Sequence, residues 1–253
     1  EALCTSSGTT ALHLALTALG IGSNDEVIVP NITFGATANV VIHAGATPIF
    51  VDICPKTWTI DPGSIESAIS SNTKAIIPVH LYGHPCDMDP IMDIAKRYNL
   101  KVIEDCAESL GAEYKGKKVG LIGDVGCFSL HPLKNLNVWS DGGVIVSDDS
   151  DLTERLRLLR NHGLSDRDTV SVLGCNSRLD TFQAVVGSWL LPKTHEITNQ
   201  RIANAAFYDA QLSDISQVRI PPRPADYKIV YHLYIVFAER RDDLLQFCIE
   251  RGI

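Results

Sequence analysis

Gly123-Asp-Val-Gly-Cys-Phe-Ser-Leu-His-Pro-Leu-Lys-Asn-Leu-Asn-Val-Trp-Ser-Asp-Gly-Gly143 decides how this chain is read. Val125–Leu130 is a short apolar run that predicts a buried strand. It enters a polar turn carrying one lysine, Lys134, and a Gly-Gly pair then opens a second strand, Val144–Val146. A lysine held in a turn between two buried strands is poorly solvated. Partial burial lowers an ammonium pKa and makes the amine a nucleophile able to form a Schiff base. Taken alone, the same residue is equally explained as a loop lysine beside a strand.

Strand and helix signals alternate upstream. Glu26–Pro30 reads as a strand, followed by a small-residue helix to Ala44. Thr47–Asp52, Lys74–His80 and Lys101–Asp105 read as strands separated by helices over Asp61–Ile69 and Asp89–Asn99. Short apolar strands joined by helices predict a mostly parallel central sheet with right-handed crossovers, an α/β fold. No Gly-x-Gly-x-x-Gly follows any strand, which disfavours a dinucleotide site. Gly111–Gly120 predicts a hairpin leading into the lysine stretch. Beyond Asp148 come a helix over Leu152–Arg160 stopped by Gly163, and a polar, irregular segment over 164–173 expected to be mobile. A long helix over Lys193–Leu212, a strand over Val230–Phe237 and an amphipathic helix over Asp242–Ile253 complete the chain. These features divide it into a large domain, 1–190, and a linking helix with the start of a smaller α+β domain, 191–253.

The bulk numbers exclude several function classes. With 253 residues, 45% of them apolar and 21% charged, the composition is that of an ordinary globular protein. A net charge of −8 argues against a nucleic-acid or anionic-membrane partner. No apolar run reaches the roughly 20 residues of a membrane span. Seven cysteines without a C-x-x-C pair, and eight histidines without metal spacing, predict neither a disulfide framework nor a metal site. Buried cysteines such as Cys106 and Cys127 suit a reducing cytoplasm. The chain begins inside a predicted strand and stops at Arg251-Gly-Ile, so it is expected to be a fragment of a longer protein.

Several stretches carry possible chemistry. Thr5-Ser-Ser-Gly-Thr-Thr10 opens a helix that is apolar almost all round. Its free N–H groups suit a phosphate, although a plain Ser/Thr cap explains the same residues. Phe34 falls just past a strand's carboxyl end, where open α/β sheets place ligands; it is a ring to stack on a planar ligand, or a core phenylalanine. Val102-Ile-Glu-Asp-Cys-Ala-Glu-Ser-Leu-Gly111 puts Asp105 and Glu108 at another such end, and carboxylates there need partners.

Phe128-Ser-x-x-Pro-x-Lys-Asn-Leu136, followed by x-Asp-Gly-Gly143, resembles the cofactor-lysine segment of the DegT/DnrJ/EryC1/StrS sugar aminotransferases, which depend on pyridoxal 5′-phosphate (PLP). The resemblance runs through five motifs in register: Ser-Gly-Thr at 7–9, His80-Leu-Tyr-Gly, Asp105 and its neighbours, the lysine segment, and Gly174-x-Asn-x-Arg-Leu-Asp-x-x-Gln-Ala. Tyr231-His-Leu-Tyr matches a further strand. It implies the fold type I architecture of PLP-dependent transferases and a homodimer. It also implies transfer of an amino group from an amino acid, L-glutamate foremost, to a keto sugar carried on a nucleotide, in amino-sugar, polysaccharide or secondary-metabolite biosynthesis.

Residue by residue, the resemblance makes Lys134 the cofactor lysine and Asp105 the partner of the pyridine nitrogen. Gly8, Thr9 and Ser129 would hold the phosphate, Phe34 the ring, and Asn176 the phosphate of the other subunit. Asp141-Gly-Gly would allow close approach of backbone and cofactor. Glu108 departs from the family's usual glutamine or histidine, and a second carboxylate near the ring needs its own proton or cation. His131 is expected to be structural or substrate-facing and Arg178 a structural ion-pair partner. A dehydratase branch carries histidine in place of the lysine, so Lys134 favours transamination. The alternatives are a non-catalytic regulator or scaffold of the same fold, and another reaction on an amino acid, which would call for an arginine to hold the substrate carboxylate. The Asn-Ser-Arg-Leu-Asp form resembles enzymes acting at C3 of a 3-keto sugar.

Overall fold

A computed structural model describes residues 1–253. β1 (Ala2–Thr5) leads into α1 (Gly8–Ala18), β2 (Glu26–Pro30) into α2 (Ala36–His43), and β3 (Thr47–Val51) into α3 (Pro62–Ile65). β4 (Thr73–Ile76) leads into α4 (Met88–Tyr98), followed by β5 (Lys101–Asp105), the hairpin β6 (Glu113–Tyr114) and β7 (Lys117–Lys118), β8 (Val125–Ser129), β9 (Gly143–Val146) and α5 (Ser150–Arg160). Seven strands form one sheet in the order β1-β9-β8-β5-β4-β2-β3. Pairings from β8 across to β3 are parallel, whereas β9 runs antiparallel to both of its neighbours. The sheet is mostly parallel with helices on both faces, the architecture expected.

The strands read as unbroken apolar runs because each feeds two cores. Val27 and Val29 point into a cluster with Leu12, Leu16, Val40 and Leu156, from α1, α2 and α5. Ile28, between them, points into a second cluster with Ile65, Ile91 and Ile94, from α3 and α4. Period-two alternation therefore sorts apolar residues between two covered faces rather than between core and water.

Parallel strands bring their carboxyl ends to one edge, and the insertion of β9 adds to that edge. Gly143, where β9 begins, is paired with Thr5 at the end of β1 and with Ser129 at the end of β8. Lys134 thus sits on an excursion whose two ends are zipped together at the edge where α1 also starts.

The downstream part comprises α6 (Thr181–Leu190), α7 (Thr194–Leu212), β10 (Val218–Arg219), β11 (Tyr227–Lys228), β12 (Phe237–Ala238) and α8 (Arg241–Glu250). Here one expectation is corrected. Val230–Phe237 is not a strand: only Tyr227–Lys228 pairs with β6, and Phe237–Ala238 with β10. The backbone between them is bonded elsewhere. Val230 N–H donates to Gly83 O at 3.1 Å, while the Val230, Tyr231 and His232 carbonyls accept from Asn135 Nδ2 and Arg201 NH1. The helix expected over Asp61–Ile69 shrinks to the short α3 and one tighter turn over Glu66–Ala68, capped by Asp61. Segment 164–173 closes on itself through a Leu164–Val170 bridge.

Candidate active site

The phosphate end of the site is built by α1. Ser7 caps the helix: its hydroxyl accepts from Thr10 N–H and its own N–H donates to the Thr10 hydroxyl, both at 3.1 Å. The N–H groups of Gly8 and Thr9, in the first turn, have no intrahelical acceptor. They sit at the positive end of the helix, where an anion is stabilised. Two glycines permit the approach. A methyl on Gly8 would lie 2.8 Å from Ser129 Cβ, and one on Gly143 would lie 2.4 Å from Ser7 O. Ser129 therefore stands directly against the helix start.

Asp105 closes the opposite end. Its side chain is buried, with Oδ2 accepting from Thr37 Oγ1 at 2.9 Å and Oδ1 from Ala107 N–H at 3.1 Å. Burial pushes its carboxyl up, against the pull of those two donors and of Lys134 and with a further push from Glu108. Such a carboxylate is short of positive charge, and a protonated ring nitrogen would supply it.

Lys134 and Glu108 meet between these ends. Lys134 Nζ lies 3.2 Å from Glu108 Oε1, with both side chains less than one-fifth exposed. Glu108 Oε2 accepts from Tyr82 N–H at 2.7 Å, and His232 Nε2 approaches Oε1 to 3.4 Å. The second carboxylate, which needed its own cation, has found one in Lys134 itself. Lys134 is accordingly held as an ion pair rather than presented as a free amine.

Gly8, Thr9, Phe34, Asp105, Glu108, Ser129 and Lys134 line one cleft of ≈ 470 Å³. Leu12, Val79, Ala107 and Leu133 give it apolar walls, and His131, Asp141 and His232 also face it. Phe34 is a rim residue, 78% exposed, and not a core phenylalanine. No arginine lines the cleft. The volume, a helix start with unpaired N–H groups at one end and a charge-deficient carboxylate at the other fit PLP. A second crevice, lined in part by Trp58, Tyr231 and Phe237, has only ≈ 30 Å³, room for about one water.

Three further residues lie outside the cleft. Asn176 is exposed outside the cleft and forms an isolated bridge with Asn161. Arg178 makes no ion pair; its NH1 donates to Asn161 Oδ1 at 2.6 Å. His80, which opens one of the five matching motifs, is fully buried and does not line the cleft. Its Nδ1 accepts from Cys86 N–H at 2.9 Å, so Nε2 carries the proton donated to Glu104 at 3.0 Å. Glu104 also accepts the N–H groups of Gly120, Ile122 and Gly123. His80, Glu104 and Cys106 cluster closely enough to suggest a metal, but those hydrogen bonds already occupy the carboxylate and both imidazole nitrogens.

Sequence reasoning missed Thr37, Tyr82 and His232. Thr33 and Thr37, one turn apart with their hydroxyls 2.9 Å from each other, form a pair that spacing could have revealed. Tyr82 acts through its backbone, which no side-chain motif can announce.

The sequence model of the DegT/DnrJ/EryC1/StrS aminotransferase family matches residues 1–253. A Geobacillus stearothermophilus pleiotropic regulatory protein is 45% identical over 249 residues, 98% of this chain and 67% of that protein. A UDP-N-acetyl-3-dehydro-α-D-glucosamine 3-aminotransferase of Acidithiobacillus ferrooxidans is 47% identical over 236 residues, 93% of this chain and 64% of that enzyme. The crystal structure of S. venezuelae DesV in complex with a ketimine intermediate superimposes with a TM-score of 0.97 at 43% identity, covering all of this chain and 68% of that one. The chain thus spans about two thirds of the length of these relatives.

Proposed function

The chain belongs to the DegT/DnrJ/EryC1/StrS aminotransferase family, and from that premise we propose that it transfers an amino group from an amino acid, L-glutamate foremost, to a nucleotide-linked keto sugar. The observation that carries this reading is one cleft holding, in order, an open helix start, a half-buried lysine and a charge-deficient aspartate. PLP, when bound, supplies the electron sink and the carbonyl that accepts and hands on the amino group.

The residues of this chain do the rest. Gly8 and Thr9 N–H groups and Ser129 Oγ bind the phosphate. Asp105 holds a proton on the ring nitrogen, and Phe34 covers the ring from the rim. Lys134 Nζ is the covalent anchor and moves the proton at the reacting carbon. The apolar walls keep water from that carbon. The similarity to an enzyme named as a 3-aminotransferase of a UDP-linked 3-dehydro sugar supports C3 of a 3-keto sugar as the acceptor position.

The same proposal includes a homodimer in which Asn176 reaches the partner's phosphate. Its support is α6, where Phe182, Val185 and Trp189 are each more than half exposed and no residue is buried, an apolar face of the kind that partners cover. Residues 1–190 would form the cofactor-binding domain and 191–253 the linking helix and start of a smaller one. A cytoplasmic location fits seven unpaired cysteines; no helix is long and apolar enough to cross a membrane.

The test is an absorbance spectrum of the protein with PLP, before and after L-glutamate, for the wild type and Lys134→Ala. A visible band that glutamate bleaches, absent from the variant, is the expected result. No cofactor uptake would overturn the enzyme reading in favour of a regulator, the role named for the Geobacillus relative.

A further inference from the structure

Lys134 has a problem that its neighbours pose and solve. An amine that bonds a carbonyl or takes a proton from carbon must first be neutral. Yet Glu108 Oε1, 3.2 Å away, is a ready ion-pair partner for its ammonium form. That same oxygen lies 3.4 Å from His232 Nε2, whereas the other carboxylate oxygen is fixed by Tyr82 N–H. Oε1 is thus shared between a proton source and an imidazole. The imidazole is 8% exposed, and its Nδ1 has no partner.

His232 reaches this place through an unusual backbone. Tyr82 and Tyr231 both adopt left-handed conformations, φ 59° and 49°. Gly83, at φ +88°, lies so close to the second segment that a methyl on it would approach Val230 Cγ2 and the Tyr231 and His232 backbone nitrogens to 2.9–3.0 Å. Left-handed tyrosines are uncommon and cost energy, so such geometry persists only where surrounding contacts impose it. Arg201 NH1 completes the clasp by bonding the Tyr231 and His232 carbonyls. The turn that presents Tyr82 N–H to Glu108 is therefore the turn that anchors His232.

We propose that Glu108 and His232 form a proton path serving Lys134, with Glu108 as carrier and His232 as store. The inference rests on the reading of Lys134 as the cofactor lysine. An Nζ–H bond breaks as Oε1–H forms; with His232 starting as its Nδ1–H tautomer, the Oε1–H bond breaks in turn as Nε2–H forms. The products are a neutral amine, a carboxylate and an imidazolium, with no proton lost to solvent. Glu108 then keeps a cation beside it throughout, first Lys134 and then His232.

The charges around His232 change with this exchange. Burial holds its imidazole below the usual range; Glu108 pulls it up, while Lys134 and Arg201 push it down. Discharging Lys134 removes one of the opposing charges, so His232 binds a proton more readily once the lysine has given one up. Asp105 and Tyr82 lie beyond Glu108, and His131 and Asp141 face the same cleft from the lysine excursion. Glu108 touches Lys134 and His232 touches Glu108, so both act through the Lys134 proton.

The test reads Lys134 directly in the full chain prepared without cofactor. The rate of its acylation by an amine-selective reagent is followed by peptide mass spectrometry from pH 6 to 9.5. Glu108→Gln, which keeps the shape of the side chain and removes its charge, is expected to raise the rate at pH 7.5 about tenfold. His232→Asn is expected to lower it at pH 6 about fivefold and to leave it unchanged at pH 9.5. His232→Gln serves if the first variant does not fold. In the Glu108→Gln background the His232 substitution should have no effect. An unaltered pH profile in His232→Asn, or an equal loss with and without Glu108, would overturn the proposal. Borohydride reduction of the PLP-loaded wild type tests the underlying reading separately: the cofactor mass must map to Lys134, whatever the acylation profiles show.

Discussion

Glu104 and Asp105 are consecutive residues at the end of β5, both buried, and they have opposite fates. Strand alternation sends them to opposite faces. Glu104 turns toward His80 and the 120–123 loop, where four donors reach its two oxygens. Burial pushes its carboxyl up, but His80 and the Gly123 and Gly120 N–H groups outweigh it, and the group ends below its usual range. Asp105 turns toward the cleft with two donors and ends above its range. Neither burial nor residue type separates the pair; the number of satisfied lone pairs does. A carboxylate completed by its own protein holds structure together, and one left short of donors waits for a ligand.

The comparison breaks most sharply on stability. Glu104→Gln leaves an amide facing three N–H groups and a histidine, and should cost about 3 kcal/mol or more in chemical denaturation. Asp105→Asn should change stability by no more than about 1 kcal/mol while impairing the response to glutamate. Equal losses for the two variants would dissolve the distinction.

A smaller effect probes the far end of the cleft. Gly8→Ala places a methyl 2.8 Å from Ser129 Cβ, an overpacking expected to cost about 1–3 kcal/mol in thermal unfolding. It should also weaken PLP uptake by pushing Ser129 off the helix start. Retained uptake at wild-type affinity would remove Ser129 and the helix start from the phosphate site.

The smallest sharpens the electrostatics. Glu104, with its folded pKa depressed, contributes stability above its unfolded pKa and loses it as pH falls through the folded value. Asp105, with its folded pKa raised, has the opposite sign: its ionised form costs stability above the folded value, and the cost disappears as pH falls. Thr37→Val removes one of Asp105's donors. It should raise that carboxyl further and cost about 1 kcal/mol near neutrality, but less in acid. Denaturation at two pH values checks this; a larger loss in acid would contradict it.

Much of this arrangement was legible in the residue order. The βαβ alternation follows from apolar strand runs, and the lysine excursion from Phe128-Ser and Asp141-Gly-Gly flanking one polar turn. Position relative to strand ends brought Phe34 and Asp105 to one edge, because parallel strands share that edge, whereas Gly8 and Ser129 came from the resemblance. What escaped depends on backbone groups bonded out of register. Val230–Phe237 has strand composition, yet its hydrogen bonds go to a turn some 150 residues upstream and to side chains of Asn135 and Arg201. His80 has the look of a site residue, yet the Cys86 amide and Glu104 claim both of its nitrogens. Glu108 stood out as a departure, but that its cation is Lys134 is a fact of three-dimensional distance.

The antiparallel strand β9 also governs when the site can assemble. Ala2 pairs with Val146 and Thr5 with Gly143, so the first strand has no neighbour until the chain through Val146 has folded. Contacts of such sequence separation close slowly, since the loop entropy comes before any gain. The parallel strands β2 to β8 can pair before β9 is made, and α1 can already pack on β2 and α2 through Leu12, Leu16, Val27 and Val40. The phosphate cradle is therefore completed only when β9 docks, because Gly143 pairs with Thr5 and lies directly against Ser7 at the start of α1.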